Sequence, residues 1–171
     1  MVEVLLDEAE VARRVEDLAG ALADWIDDET VVVCLLTGGI WFAADLTRAL
    51  ARRGRNPLFD CLWLASYGDA ETTSGRVVER AGLQRSVAGR RVLVVDEVID
   101  SGLSLLAARR ICERAGASEV RIAVFAEKPW PQARDIAPDH VAWRAPARYL
   151  VGYGMDSAGR MRGLPGVTAL D

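Results

Sequence analysis

The sequence predicts an α/β fold, a doubly wound and mostly parallel sheet flanked by helices, with a small hood built from the carboxyl-terminal segment. Three observations carry that expectation. Val31–Leu36 and Val92–Val95 are unbroken apolar runs rich in branched residues, the pattern of parallel strands covered on both faces. Strand-like runs alternate with segments of helical periodicity, which favours a sheet wrapped by helices. The order strand, Gly-containing turn, helix occurs twice, after Leu36 and after Ile99. At 171 residues and 51% hydrophobic content the chain is long enough for one well-buried core and short for two. One domain over residues 1–171 is expected, with its core at about 1–127 and the hood at about 128–171.

The elements follow in order. Met1–Leu6 is a short edge-strand candidate, and Asp7 with Glu10 reads as a helix start of capping-box type. Val11, Val15, Leu18, Leu22 and Trp25 recur at three- and four-residue steps and give the helix one apolar face for packing. After Val31–Leu36, Thr37-Gly38-Gly39 turns the chain into a helix from about Trp41 to Arg53. Leu58–Ala65 is the next strand. It ends at Ser66-Tyr67, and the polar, unpatterned residues up to Gly75 read as a mobile loop. Glu119–Ala126, Val141–Trp143 and Tyr149–Tyr153 complete the strand candidates.

The stretch Arg91–Leu106 changes from strand to acidic turn to helix. Asp96 and Glu97 end the apolar run, and Asp100 follows after two apolar residues. Ser101-Gly102-Leu103-Ser104 then opens a helix that Gly116 stops. Amides at a helix N-terminus, with two hydroxyls beside them, suit a phosphate. Three carboxylates close by suit sugar hydroxyls or a divalent cation. A phosphorylated sugar answers both. Taken singly, Ser101 is better read as a cap; the whole constellation, at the carboxyl end of a strand in an open α/β sheet, reads as a ligand site.

Composition narrows the classes further. A formal net charge of −4 without a long basic cluster lacks the electrostatic footprint of nucleic-acid binding. Cys34, Cys61 and Cys112 lie far apart in apolar segments and read as reduced core residues. No apolar run reaches membrane-spanning length, and no signal-type segment begins the chain, so a cytoplasmic location is expected. His140 is the single histidine, which leaves no triad or histidine-based metal site.

Val92-Leu-Val-Val-Asp-Glu-Val-Ile-Asp-Ser-Gly102 resembles the signature of the type I phosphoribosyltransferases: an apolar strand, two acidic residues, two apolar residues, Asp, Thr or Ser, then Gly. Glu97 is one methylene longer than the usual second acid. Tyr149-Leu-Val-Gly-Tyr-Gly-Met-Asp156, with Arg162 and Leu164-Pro165, is similar to the hood of the bacterial hypoxanthine members. The resemblance spans roughly residues 31–166 in collinear order.

It implies transfer of a 5-phosphoribosyl group from phosphoribosyl pyrophosphate to hypoxanthine or guanine, with Mg2+ as cofactor. Asp96 and Glu97 would hold the ribose hydroxyls, directly or through the metal, and Ser101, Gly102, Leu103 and Ser104 would hold the 5-phosphate. Asp100 would act as general acid/base at the purine, buried among carboxylates. Lys128 would read the purine oxo group, with Tyr149 and Leu150 against the ring. Asp156 would bind a second metal, and Arg162 with Thr37, Gly38 and Gly39 would take pyrophosphate. Thr37 stands where purine members commonly carry Lys or Arg, so the cation for pyrophosphate must come from elsewhere. Ser66 and Tyr67 would begin a loop that closes over the reacting centre. A homodimer or homotetramer is implied. The alternatives are a different base such as xanthine, or a catalytically silent regulator of this fold that binds nucleotide or RNA.

Overall fold

The computed structural model describes residues 2–67 and 76–170, apart from the side chains of Ser66, Tyr67 and Arg76. In chain order the elements are β1 (Glu3–Leu6), α1 (Glu8–Leu22), β2 (Val31–Leu36), α2 (Ile40–Arg52), β3 (Leu58–Tyr67), β4 (Arg76–Ala81), β5 (Arg91–Ile99), α3 (Leu103–Arg114), β6 (Glu119–Glu127), β7 (His140–Arg144), β8 (Leu150–Val151) and β9 (Val167–Ala169).

A six-stranded sheet has the order β4-β3-β2-β5-β6-β7. Every pairing in it is parallel except β3 with β4. Side chains alternate between faces along a strand, and in this sheet both faces are buried. Val32, Cys34, Leu93 and Val95 pack with α1 and α2. Val31, Val33, Val92 and Val94 pack with Leu105, Ala108 and Cys112 of α3. That two-sided burial is why β2 and β5 read as unbroken apolar runs, and the doubly wound arrangement is as expected. Because the central strands are parallel, the carboxyl ends of β2, β5 and β6 emerge at one edge, where Thr37, Asp96 to Gly102 and Lys128 meet.

Local signals were mostly met. The Asp7 carboxylate accepts from Glu10 N at 2.8 Å and caps α1, while the Glu10 carboxylate turns to Arg13 and Arg14 at 2.8 Å each. Trp25, expected on the apolar face of α1, lies beyond its end, where the Arg121 guanidinium sits 4.6 Å from its ring. β4 was not anticipated: Arg-Val-Val-Glu-Arg-Ala is a short mixed segment whose strand conformation comes from its antiparallel partner β3. The Tyr149–Tyr153 strand shrinks to two residues because Gly152 turns the chain at φ 94.

The hood differs from expectation at both ends. β7, placed by the sequence reading beyond residue 127, is the edge strand of the large sheet. β1, from the opposite end of the chain, joins β9 and β8 in a three-stranded antiparallel sheet of order β1-β9-β8. Backbone donors at a terminus need partners, and β9 supplies them to β1.

An aromatic chain fixes the hood to the core. Phe125 of β6 meets Phe42 of α2 edge-on with centroids 5.7 Å apart, and meets Tyr153 of the hood at 4.6 Å. The Tyr153 hydroxyl donates to Asp45 Oδ2 at 3.0 Å. Among the described residues no helix is long and apolar enough to cross a membrane. Phe125 is fully buried, so Phe125→Ala is expected to cost about 3–5 kcal/mol, read as a lowered urea midpoint with the slope unchanged.

Candidate active site

The site is assembled from the three strand ends and the hood. After β5, Gly102 adopts φ 83 and ψ 2 at the start of α3. A side chain there would be strained, and its Cβ would fall 2.7 Å from Ile136 Cγ2. Leu103 N donates to Ser101 Oγ at 3.4 Å. Helical bonding begins with Leu106 N to Gly102 O at 2.9 Å, which leaves Ser104 and Leu105 as first-turn amides pointing out of the helix start.

After β2, the Leu36–Thr37 peptide is cis and Thr37 is exposed. Gly39 N is already bonded to Leu35 O at 3.1 Å. The Glu97 carboxylate lies directly over Gly38: a Cβ there would be 1.8 Å from Glu97 Oε1. The hood closes on the same point, since a Cβ at Gly154 would be 2.2 Å from Gly38 O. Glycines at 38 and 154 are therefore the means by which β5, the loop after β2 and the hood touch.

Two adjoining cavities share Glu97. One, of about 300 Å³, is lined by Thr37, Gly38, Trp63, Asp96, Glu97, Ser104 and Arg162 among others. The second, of about 260 Å³, is lined by Glu97, Val98, Asp100, Lys128, Tyr149, Leu150, Met155 and Asp156. Arg162 spans the hood side. Its Nη2 lies 2.8 Å from Asp156 Oδ1, its Nη1 donates to Gly154 O at 2.5 Å, and Nη1 is 3.8 Å from Glu97 Oε1. Asp156 Oδ2 accepts from Gly159 N at 2.6 Å, and the Tyr149 hydroxyl donates to Asp156 O at 3.3 Å. Lys128 Nζ is 3.4 Å from Asp100 Oδ1.

The electrostatics differ from expectation at Asp100. It was expected to be buried among carboxylates; its side chain is 48% exposed and faces the Lys128 ammonium. The carboxyl that is largely shielded and stands beside another acid is Asp96. Burial, then the charge of Glu97 and the hydrogen bond to it, raise Asp96 well above the usual carboxylate range. Glu97 N donates to Asp96 Oδ1 at 2.9 Å, a smaller opposing effect.

Asp96, Glu97, Asp100, Lys128, Asp156, Arg162, the Thr37-Gly38-Gly39 loop and the Ser101–Ser104 turn thus converge. Tyr149 is half exposed at the mouth, whereas Leu150 is almost wholly buried in the core and offers the cavity only an edge. Ser66 and Tyr67 end β3 in backbone register with Val77 and Arg76; their side chains, and the loop expected after them, lie outside the described residues. Sequence reasoning missed Trp63, whose place in the first cavity follows from strand alternation, and Arg134, which lies in a connection without periodicity and bonds to Asp100 O at 2.6 Å.

Hard oxygen donors suit Mg2+, and Asp96, Glu97 and Asp156 provide them. Among the described residues no group of three or more His, Cys, Asp or Glu could hold an ion alone.

An open parallel sheet with an anion-binding turn after one strand, a carboxylate pair before it and a hood over its edge defines the class. The phosphoribosyl transferase domain model matches residues 5–156, and the chain belongs to that family. Within it, the chain is 31% identical over 169 residues to the hypoxanthine-guanine phosphoribosyltransferase of Bacillus subtilis (strain 168), covering 98% of this chain and 92% of the relative. It is 32% identical over 167 residues to the hypoxanthine phosphoribosyltransferase of Salmonella typhimurium, covering 96% and 92%. Among solved structures, the hypoxanthine-guanine phosphoribosyltransferase of Bacillus anthracis aligns with TM-score 0.88 at 28% identity over 99% of this chain and 98% of that one. The Trypanosoma cruzi hypoxanthine enzyme, in complex with its product IMP, aligns with TM-score 0.88 at 25% identity over 99% and 94%.

The raised Asp96 carboxyl has a consequence for stability. Because the folded state holds this proton more tightly than the unfolded chain, its contribution is fully present below the ordinary value of 3.8 and is lost as pH rises through the raised one. Asp96→Asn removes that loss. The ligand-free variant is expected to gain on the wild type as pH rises above the ordinary carboxylate range, read in denaturant titrations; a pH-independent difference would contradict this account.

Proposed function

We propose that this chain moves the 5-phosphoribosyl group from phosphoribosyl pyrophosphate to N9 of a 6-oxopurine, hypoxanthine or guanine, releasing pyrophosphate in purine salvage. The observation that carries the reading is the placement of an acidic pair between a helix N-terminus on one side and a Lys–Asp pair on the other. A sugar held at its phosphate and hydroxyls then presents C1 toward the base.

The C1–O bond to pyrophosphate breaks as the C1–N9 bond forms, and positive charge develops on the sugar. Catalysis is accordingly placement and charge stabilisation. The amides and hydroxyls of Ser101–Ser104 hold the 5-phosphate, Leu103 contributing its backbone. Asp96 and Glu97 take the ribose hydroxyls and stand under the developing positive charge. Lys128 leaves Asp100 when base enters and donates to the oxo group, while Asp100 exchanges the proton at N7. Tyr149 stacks on the ring and Leu150 closes its edge. Arg162 and the Thr37-Gly38-Gly39 loop receive pyrophosphate. Asp96 with Glu97 would hold one Mg2+ and Asp156 a second, and the metal would supply positive charge against the phosphates.

The working form is a homodimer or homotetramer in the cytoplasm. Ile40, Phe59 and Trp63 remain 39–42% exposed, an apolar area that a second copy would cover. Light scattering tests this.

Asp100→Asn keeps the shape of the side chain and removes its proton chemistry. Turnover is expected to fall at least about tenfold with phosphoribosyl pyrophosphate binding largely intact. Release of pyrophosphate with hypoxanthine, guanine, xanthine and adenine in turn tests the base. Activity confined to xanthine would move the substrate, and no release with any base, beside a positive RNA gel shift, would favour a regulator.

A further inference from the structure

The connection between β6 and β7 folds back over the acidic turn, and one side chain in it holds the two halves of the site together. The Arg134 guanidinium donates through Nε to Asp100 O at 2.6 Å. Through Nη1 it meets Glu127 Oε1 at 3.3 Å, and through Nη2 it donates to Lys128 O. Its side chain is only 14% exposed. Two residues on, Ile136 is buried and packs against Gly102, so this connection touches the turn twice.

We infer that Arg134 is a positioning residue for the transfer: it fixes the backbone of Asp100 relative to that of Lys128, and so sets the spacing between the proton-exchanging carboxylate and the base-reading ammonium. This rests on the functional reading above. Asp100 lies just past the end of β5 and Lys128 just past the end of β6. Lys128 N bonds to Ile99 O at 3.3 Å, one direct link between the two ends. Beyond it, the Asp100 and Lys128 side chains both line the cavity, and their carbonyls take further bonds from Arg134. Arg134 takes both carbonyls with different nitrogens of one planar group, which a lysine cannot reproduce because its single ammonium has no fixed fork. Glu127 orients the guanidinium. It is itself shared with Arg144 at 2.5 Å, and Arg144 is 82% exposed.

The carbonyl that Arg134 holds belongs to the Asp100–Ser101 peptide, so the same clamp bears on the turn that opens α3. A displacement near 1 Å at a reacting group costs on the order of a hundredfold in rate, so a residue that touches neither substrate can matter this much.

The test compares Arg134→Ala and Arg134→Lys with wild type and with Arg144→Ala, which takes away the other partner of Glu127. For Arg134→Ala, kcat is expected to fall at least about tenfold, KM for the base to rise more than KM for phosphoribosyl pyrophosphate, and added guanidinium ion to restore part of kcat. Arg134→Lys should lie between, and Arg144→Ala within about twofold of wild type. Amide exchange supplies a readout independent of turnover: Ser101 to Ser104 and Lys128 should exchange faster in the Arg134 variants and not in Arg144→Ala. An inactive wild type would overturn the functional reading, and the exchange data would still judge the clamp. Unchanged kcat, base KM and exchange in a folded Arg134→Ala overturn the proposal; where that variant does not fold, Arg134→Lys carries the same comparison, and failure of both to fold makes Arg134 a purely structural residue and overturns it too.

Discussion

Two carboxylates adjacent in sequence at the end of a buried strand are the constraint around which the rest of the site is arranged. In β5 successive side chains point to opposite faces, yet the Glu97 N–H folds onto Asp96 Oδ1 and both acids border one cavity. Like charges in such a place disfavour ionisation of one member, and Asp96 bears that effect. The free protein relieves it only in part, since Arg162 stands 3.8 Å from Glu97 and is closer to Asp156. A ligand rich in hydroxyls or bringing a cation would relieve it further. A like-charged pair held in place by the fold costs stability that binding could recover, as functional sites commonly do.

The length of the Glu97 side chain propagates outward from there. Its carboxylate fills the space that a side chain at residue 38 would need, and Gly154 in turn lies against the Gly38 carbonyl. Hood and loop can approach only because neither carries a Cβ. The aromatic contact of Phe125 with Phe42 and Tyr153 fixes the approach from below, and β1 completes the hood sheet from the other end of the chain. Asp156 and Arg162 therefore owe their position to residues more than a hundred positions upstream as well as to their own turn.

The central layers of the fold were legible because two-sided burial writes itself into sequence: β2 and β5 could hardly be anything else, and Asp7, Gly102 and Gly116 mark helix ends through local chemistry. The acidic turn was legible for the same reason, since carboxylates, hydroxyls and Gly sit within nine residues of one another. What could not be read was tertiary. β4 is a strand because β3 lies beside it, and β1 belongs to the hood because β9 offers it partners. Asp100 was expected to be buried among carboxylates, but past the end of β5 its side chain is half exposed and faces Lys128, a placement set by the neighbouring strand end rather than by local sequence. Leu150 sits beside Tyr149 in sequence and faces the core, as strand alternation requires. Arg134 has no periodic or motif context at all; its three acceptors come from the end of β5, far off in sequence, and from the end of β6 just before it.

The absence of a cation at position 37 has a physical counterpart in the hood. On the proposed reading, pyrophosphate entering beside Thr37 and Gly38 would meet two carboxylates, and the basic residue lining that cavity is Arg162. Its guanidinium is already oriented by the Gly154 carbonyl and by Asp156, so little rotamer entropy is left to lose when an anion arrives. A lysine on the loop would bring a mobile point charge; on the proposed reading an arginine anchored in the hood brings a fixed fork that would tie pyrophosphate binding to hood position. Charge recognition at the leaving group would then depend on the aromatic tether that holds the hood, and a change in that tether should be felt first in pyrophosphate binding and only afterwards at the turn after β5.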